Sequence, residues 1–246
     1  MQPHKIVSRN EWIEARKAHM AHEKEYTRAR DRLSAERRAL PWVKVEKSYV
    51  FDGPGGKQTL ADLFAGRSQL IIQHFMFAPD WTEGCKSCSF WADGFERMIP
   101  HLAARDTTLV AISRAPLPKL LVFKARMGWT FDWLSSAASD FNYDYGVSFT
   151  PEQIESGAKT YNFGTAGFEI EDAPGISVFF RDEAGNIFHT YSCFARGLDM
   201  MNAAYHYLDL TPLGRHEERL PYPMDWVRLR DQYKPASSTA TCCQIQ

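Results

Sequence analysis

Two of the chain's five cysteines, Cys85 and Cys88, stand three positions apart in the string GCKSCSFW, Gly84 to Trp91. Thiols at that spacing can exchange electrons through a disulfide, supply two ligands to a metal, or simply pack. If a helix begins near Cys85, the two side chains lie one turn apart on neighbouring faces, within reach of an intramolecular disulfide. Unpaired N–H groups of the first turn and the helix dipole then favour the Cys85 thiolate over its thiol. Lys86 adds positive charge beside it, whereas Asp80 and Glu83 oppose that effect. On this reading Cys85 attacks a disulfide or peroxide substrate and Cys88 resolves the product by closing the Cys85–Cys88 bond. An external thiol reductant must then reopen it, and no cofactor is required.

A metal would need more than two thiolates, since zinc takes four ligands and a soft copper site two or three. His74 and His189 are the histidines on strand-like segments that could join Cys85 and Cys88 around copper or zinc. The competing expectation for His74 is a core histidine satisfied by a hydrogen bond. Cys193 reads as a small buried hydrophobe.

The elements that must position the pair follow from the pattern around it. QLIIQHFMF, Gln69 to Phe77, is the apolar run of a strand covered on both faces. CSFWADGFERMIPHLA predicts a helix with Phe90, Trp91, Phe95, Met98 and Ile99 on one face. DTTLVAIS, Asp106 to Ser113, predicts a second buried strand, parallel to the first across a right-handed crossover. A helix started by Pro116 or Pro118 and closed near Gly128 follows. GISVFFRDEAGNIFHTY predicts a hairpin turning at DEAG, and GLDMMNAAYHYLDL a final amphipathic helix. Upstream, YVFDGPGGKQTL has the β-rich ends and Gly/Pro tip of another hairpin. Trp129, Phe131, Trp133, Phe141, Tyr143 and Tyr145 form an aromatic group that reads as core or as the lining of a small-molecule pocket.

Composition narrows the partners. With 29 Lys+Arg against 30 Asp+Glu the net charge is −1, so no bulk field draws the chain to nucleic acid or an anionic membrane. No stretch approaches the roughly 20 apolar residues of a membrane span, and the N-terminus lacks a secretory apolar run. We expect a cytoplasmic protein, where a close cysteine pair is catalytic or metal-binding more often than structural. Ser8 and Glu11 form a capping box for a charge-laced helical arm that Pro41 stops, a surface through which two copies could associate.

The string Trp81-x-x-x-Cys85-x-x-Cys88 after a strand, together with this order of elements, resembles the thioredoxin superfamily, and the hairpin start resembles its peroxiredoxin branch. More specifically, HFMFAPDWTEGCKSCSFWADGF, AISRAP, FNYDYGVSF and HTYSCFARGLDMMNAAYHYLDLTP resemble the thioredoxin-like family known as domain of unknown function 899, over Ile6 to Tyr233. The resemblance implies an α/β, thioredoxin-like three-layer sandwich with a mixed central sheet. We expect an N-terminal helical arm over 1–42, the thioredoxin-like domain over 43–212 and an extension with a polar tail over 213–246. It implies that Trp81 shields the pair and that Ser177 stands where thioredoxins carry a cis-proline, with its hydroxyl opposite the cysteines. Pro79, Thr82 and Cys85 fall one residue short of the peroxiredoxin P-x-x-x-T-x-x-C. Sites in open sheets gather at the carboxyl ends of parallel strands, which nominates Arg114 to present a guanidinium near Cys85. The final CQIQ has the outline of a prenylation signal on Cys243.

Overall fold

A computed structural model describes residues 4–158, 160–167 and 169–233. The tail with Cys242, Cys243 and its prenylation-like ending lies outside the described residues. Ser8 caps α1 (Arg9–Arg38): its hydroxyl accepts from Glu11 N–H while the Glu11 carboxylate accepts from Ser8, the anticipated capping box. The helix is a single span that buries none of its residues; Trp12, Tyr26 and Leu33 are all exposed.

Eight strands form one mixed sheet among the described residues, in the order β1-β8-β7-β4-β5-β6-β2-β3. They are β1 (Val43–Lys44), β2 (Val50–Gly53), β3 (Gly56–Thr59), β4 (Gln69–His74), β5 (Thr107–Ser113), β6 (Trp133–Ser135), β7 (Gly175–Arg181) and β8 (Ile187–Phe194). β4 and β5 are parallel from Gln69↔Thr107 to His74↔Ile112, β7 runs antiparallel to β4, and β8 antiparallel to β7. This inner quartet, with a helix between β4 and β5, is the thioredoxin-like arrangement expected from the order of elements. The helices between are α2 (Lys86–Phe95), α3 (Ile99–Ala103), α4 (Leu117–Met127), α5 (Phe141–Asp144) and α6 (Pro151–Glu155), with α7 (Ala203–Leu208) after β8. No helix among the described residues is long and apolar enough to cross a membrane.

Strand alternation divides the core into two compartments, because successive side chains leave opposite faces of the sheet. Phe75, Phe77 and Trp133 pack on one face with Cys88, Trp91, Leu120 and Phe123, under α2 and α4. Leu70, Ile72, Val110, Ile112 and Phe179 pack on the other, with Leu63, Phe64, Phe51 and Phe141. This second face is covered thinly, by a single turn at Asp62–Phe64, α5 and the β2–β3 hairpin.

Two expectations need correction. The helix carrying the cysteines ends at Phe95 because Pro100 has no N–H to continue the ladder, and a tight turn at Glu96–Met98 swings Met98 into solvent. The final helix is broken: a 3-10 segment at Ala195–Met201 leads to Asn202, whose side chain accepts from Tyr205 N–H and starts α7 afresh. The aromatic group is mostly core, and Trp133 belongs to an unanticipated strand, β6, that joins β5 to the N-terminal hairpin. Trp129 and Phe131 share its compartment, Phe141 and Tyr145 belong to the other, and Tyr143 is exposed.

Candidate functional site

Cys85 is the N-cap of α2, with extended backbone at φ −54° and ψ 127°. Its own N–H donates to Met76 O at 3.0 Å, which fixes the chain leaving β4, and its Sγ accepts from Cys88 N–H at 3.4 Å. Gly84 is required by space: a Cβ there would come within 2.8 Å of Phe75 and 3.0 Å of Phe123. The motif is thereby pressed against the core that α2 and α4 share with the sheet. Cys85 is half-buried, Cys88 is fully buried, and both are free thiols.

The two sulfurs are electrostatically unequal. The Cys88 side chain beside it, aided by first-turn N–H groups and Lys86, brings Cys85 down to about 7 against the opposing effect of burial. Burial pushes Cys88 up, and the neighbouring Cys85 side chain adds to the shift. One sulfur is therefore prepared as a thiolate and the other as a proton-holding partner. Lys86 does not point at the sulfur: its Nζ donates to Asp225 O at 2.9 Å and lies 5.8 Å from the centre of the Tyr222 ring. Trp81 is partly buried against the same compartment, and its carbonyl accepts from Lys119 Nζ at 2.8 Å.

The other proposed residues lie elsewhere. His74 shares its strand face with Leu70 and Ile72, stacks on Phe141 and has 1% exposure, so it lies across the sheet from the cysteines. Its Nε2 is 2.9 Å from Ser177 Oγ, which is 2.9 Å from Ser192 Oγ, which is 2.7 Å from His189 Nε2. His189 packs against Phe179 and Tyr145 of that same second compartment. Burial, and then the neighbouring His189, lower His74 to about 3, so it remains a neutral core histidine. The four residues nominated for copper or zinc thus divide between two faces of the sheet. Among the described residues no cluster of three or more His, Cys, Asp or Glu could hold a metal.

Ser177 is corrected by the same alternation, since its hydroxyl belongs to the histidine chain. The proline sought there is Pro174, immediately before β7, and it lines a cavity together with Cys85. No peptide bond among the described residues is cis. Arg114 ends β5 as expected, but its guanidinium is committed: Nε donates to Asp172 at 2.6 Å, Nη2 to Glu171 at 2.8 Å and Nη1 to the Tyr143 hydroxyl at 3.0 Å. These bonds fix the segment that delivers Pro174 and leave the sulfur without a direct guanidinium contact. Cys193 is buried in the cysteine compartment.

What sequence reasoning missed is that the C-terminal extension, expected over 213–246, helps to build the site. Leu229 is buried in the compartment of α2 and Met224 packs against it, while Tyr222, Pro223 and Met224 line the cavity at Cys85. Neither helical nor strand periodicity marks residues 213–233; their aromatic content was the available signal.

Fold and site together define a thioredoxin-like protein with a dithiol at a strand-to-helix junction. The family described as "Bacterial protein of unknown function (DUF899)" matches residues 1–233, and the chain belongs to it. No curated protein matches the chain. Among solved structures it is similar to peroxidoxin BcpB from Mycobacterium tuberculosis, at 14% identity over 68% of this chain and 96% of that one, with a TM-score of 0.45. It is similar also to peroxiredoxin Q from Xanthomonas campestris, at 17% identity over 63% and 87% of the two chains, with a TM-score of 0.42. A candidate thiol:disulfide interchange protein DsbE from Chlorobium tepidum gives 14% identity, 67% and 97% coverage and a TM-score of 0.39.

The inequality of the sulfurs is measurable. Alkylation of Cys85 by iodoacetamide, followed by peptide mass spectrometry from pH 5 to 10, should rise through a midpoint near 7, below the about 8.5 of a free cysteine. Cys88→Ala removes the side chain that lowers Cys85 most and should move that midpoint upward. A wild-type midpoint at or above 8.5 contradicts the assignment.

Proposed function

We propose that the protein is a thiol-disulfide oxidoreductase in which Cys85 is the nucleophile and Cys88 the resolving cysteine. The observation that carries this reading is the position of Cys85 as the cap of α2, its Sγ accepting from Cys88 N–H at 3.4 Å, with Cys85 open to a cavity and Cys88 enclosed. The Cys85 thiolate attacks one sulfur of a substrate disulfide, forming a mixed disulfide and expelling the other sulfur as a thiolate. Loss of the Cys85 negative charge removes what held the Cys88 proton, and Cys88, once deprotonated, attacks Cys85 Sγ. That step closes the Cys85–Cys88 bond and releases the second substrate thiolate, so two electrons pass from the protein to the substrate. An external dithiol returns them, and the pair needs no further cofactor. Trp81 and Lys86 act around the pair by covering it and by favouring its charge, whereas Arg114 positions the segment before β7.

Trapping tests the assignment of roles. Cys88→Ser should accumulate a mixed disulfide on Cys85 when given a small disulfide, stable for minutes where the wild type resolves within the mixing time. Cys85→Ser should form none. Mixed disulfide on Cys88 in the Cys85→Ser protein, or equal turnover in all three proteins, counts against the scheme.

The proposal includes association of two copies through α1, supported by its exposed Trp12, Tyr26 and Leu33, which are separated by two heptads and then one and so share a helix face. Sedimentation of the full chain should give a dimer, and replacing these three residues by Glu should give a monomer of unchanged circular dichroism. A wild-type monomer at about 100 μM rules this out, since a dimer that matters must persist as protomer concentration is raised.

A further inference from the structure

The cavity at Cys85 is about 470 Å³, within the range of roughly 300–1,000 Å³ typical of small-molecule sites. Met76, Trp91, Pro174 and Tyr205 line it from the domain, and Pro223 and Met224 from the extension. Charge at its rim is internally paired. Arg215 Nη1 and Arg196 Nε each lie 2.8 Å from Asp199 Oδ2, and Arg215 Nε lies 2.9 Å from Asp209. The Arg215 guanidinium also sits 3.9 Å from the centre of the Tyr205 ring. Among the described residues that line the cavity each cation has a carboxylate partner, and the walls are chiefly apolar and aromatic.

A single atom closes the C-terminal side. Glu217 Oε1 accepts from the Tyr205 hydroxyl at 2.7 Å, from Met224 N–H at 2.9 Å and from Trp226 Nε1 at 2.6 Å. It ties the wall at Tyr205 to the wall at Met224, and Lys86 Nζ on Asp225 O pins the same turn to α2. Residues 222–224 therefore stand beside Cys85 as a fixed wall of this cavity.

We infer that the substrate of Cys85 is a compact, uncharged disulfide with an apolar or aromatic body, and that Glu217 is the positioning residue whose clasp excludes charged disulfides. This rests on the redox reading of the pair. Cys85 thiolate attacks R–S–S–R to give Cys85–S–S–R and R–S⁻; Cys88 then displaces the second R–S⁻ and closes the internal disulfide, an external dithiol being the reductant.

Methanethiosulfonates that share one reactive group and differ only in the tail separate recognition from turnover. Cys85 displaces methanesulfinate and takes the tail, and Cys88 then expels the tail as a thiol. Each rate is divided by that of the same reagent with 2-mercaptoethanol. Wild type should take a benzyl tail at least ten-fold faster than a trimethylammonioethyl or a sulfonatoethyl tail. Glu217→Ala should narrow the gap below three-fold by speeding the charged tails, whereas Glu217→Gln, which keeps an accepting Oε1, should retain most of it. Equal normalised rates for the three tails in wild type overturn the substrate class even if every tail is expelled. An unchanged gap in folded Glu217→Ala overturns the role of Glu217. Selective benzyl addition without expulsion leaves the cavity's preference standing and overturns the redox reading instead. Should Glu217→Ala not fold, the wild-type series still decides the substrate class.

Discussion

Everything at the site depends on one donor and one acceptor: the Cys88 N–H donates to the Cys85 sulfur at 3.4 Å, and Cys85 is the cap of the helix on which Cys88 rides. A capping position leaves N–H groups without helical partners, so negative charge there is stabilised by donors that the backbone must direct somewhere. Because the second cysteine is one turn on, its backbone N–H is one of those donors and its side chain lies beside the same sulfur. The arrangement lowers the charge cost at Cys85 and raises it at Cys88, which is the asymmetry a nucleophile and a resolver need. Gly84 makes it sterically feasible, since the turn approaches Phe75 and Phe123 too closely for any side chain.

The sheet then decides what shares that site. Side chains alternate, so His74 and Ser177 face away from the compartment that receives Cys88, although their backbones lie near the ends of neighbouring strands. They use their polar atoms on one another and on Ser192 and His189, a buried chain that keeps a neutral imidazole in the core. Arg114 is held in the same way, by Asp172, Glu171 and Tyr143, and its effect at the site passes through the segment leading to Pro174.

The inner strands, the cysteine helix and the hairpins were legible because each has a strong period or an unambiguous stop, from the apolar run at Gln69 to the Gly128 C-cap at φ 66°. Cys85 and Cys88 were legible for the same reason. The facing of His74 and Ser177 was not. Period two tells which residues share a face, but assigning a face to the site requires knowing where the helix after β4 packs. Aligning Ser177 with a thioredoxin proline slipped the register by three residues from Pro174, and no local pattern opposed the slip. The wall at 222–224 was hidden because it is irregular chain held by a carboxylate and by tertiary contacts, neither of which leaves a periodic trace.

The extension also changes what kind of dithiol this is. A thiolate at a helix start is reactive toward many sulfur electrophiles, and selectivity has to come from what surrounds it. Here that surrounding is an apolar chamber completed by a late segment of the chain, with neighbouring charges already paired. The central claim remains the dithiol itself. Its most direct test is equilibration of the full chain with graded ratios of reduced and oxidised dithiothreitol, followed by quenched peptide mass spectrometry. The account predicts one reversible two-electron step in which Cys85 and Cys88 lose their thiols together while Cys193 keeps its own. Failure of the Cys85–Cys88 disulfide to form at any ratio, or preferential pairing of either cysteine with Cys193, would contradict it.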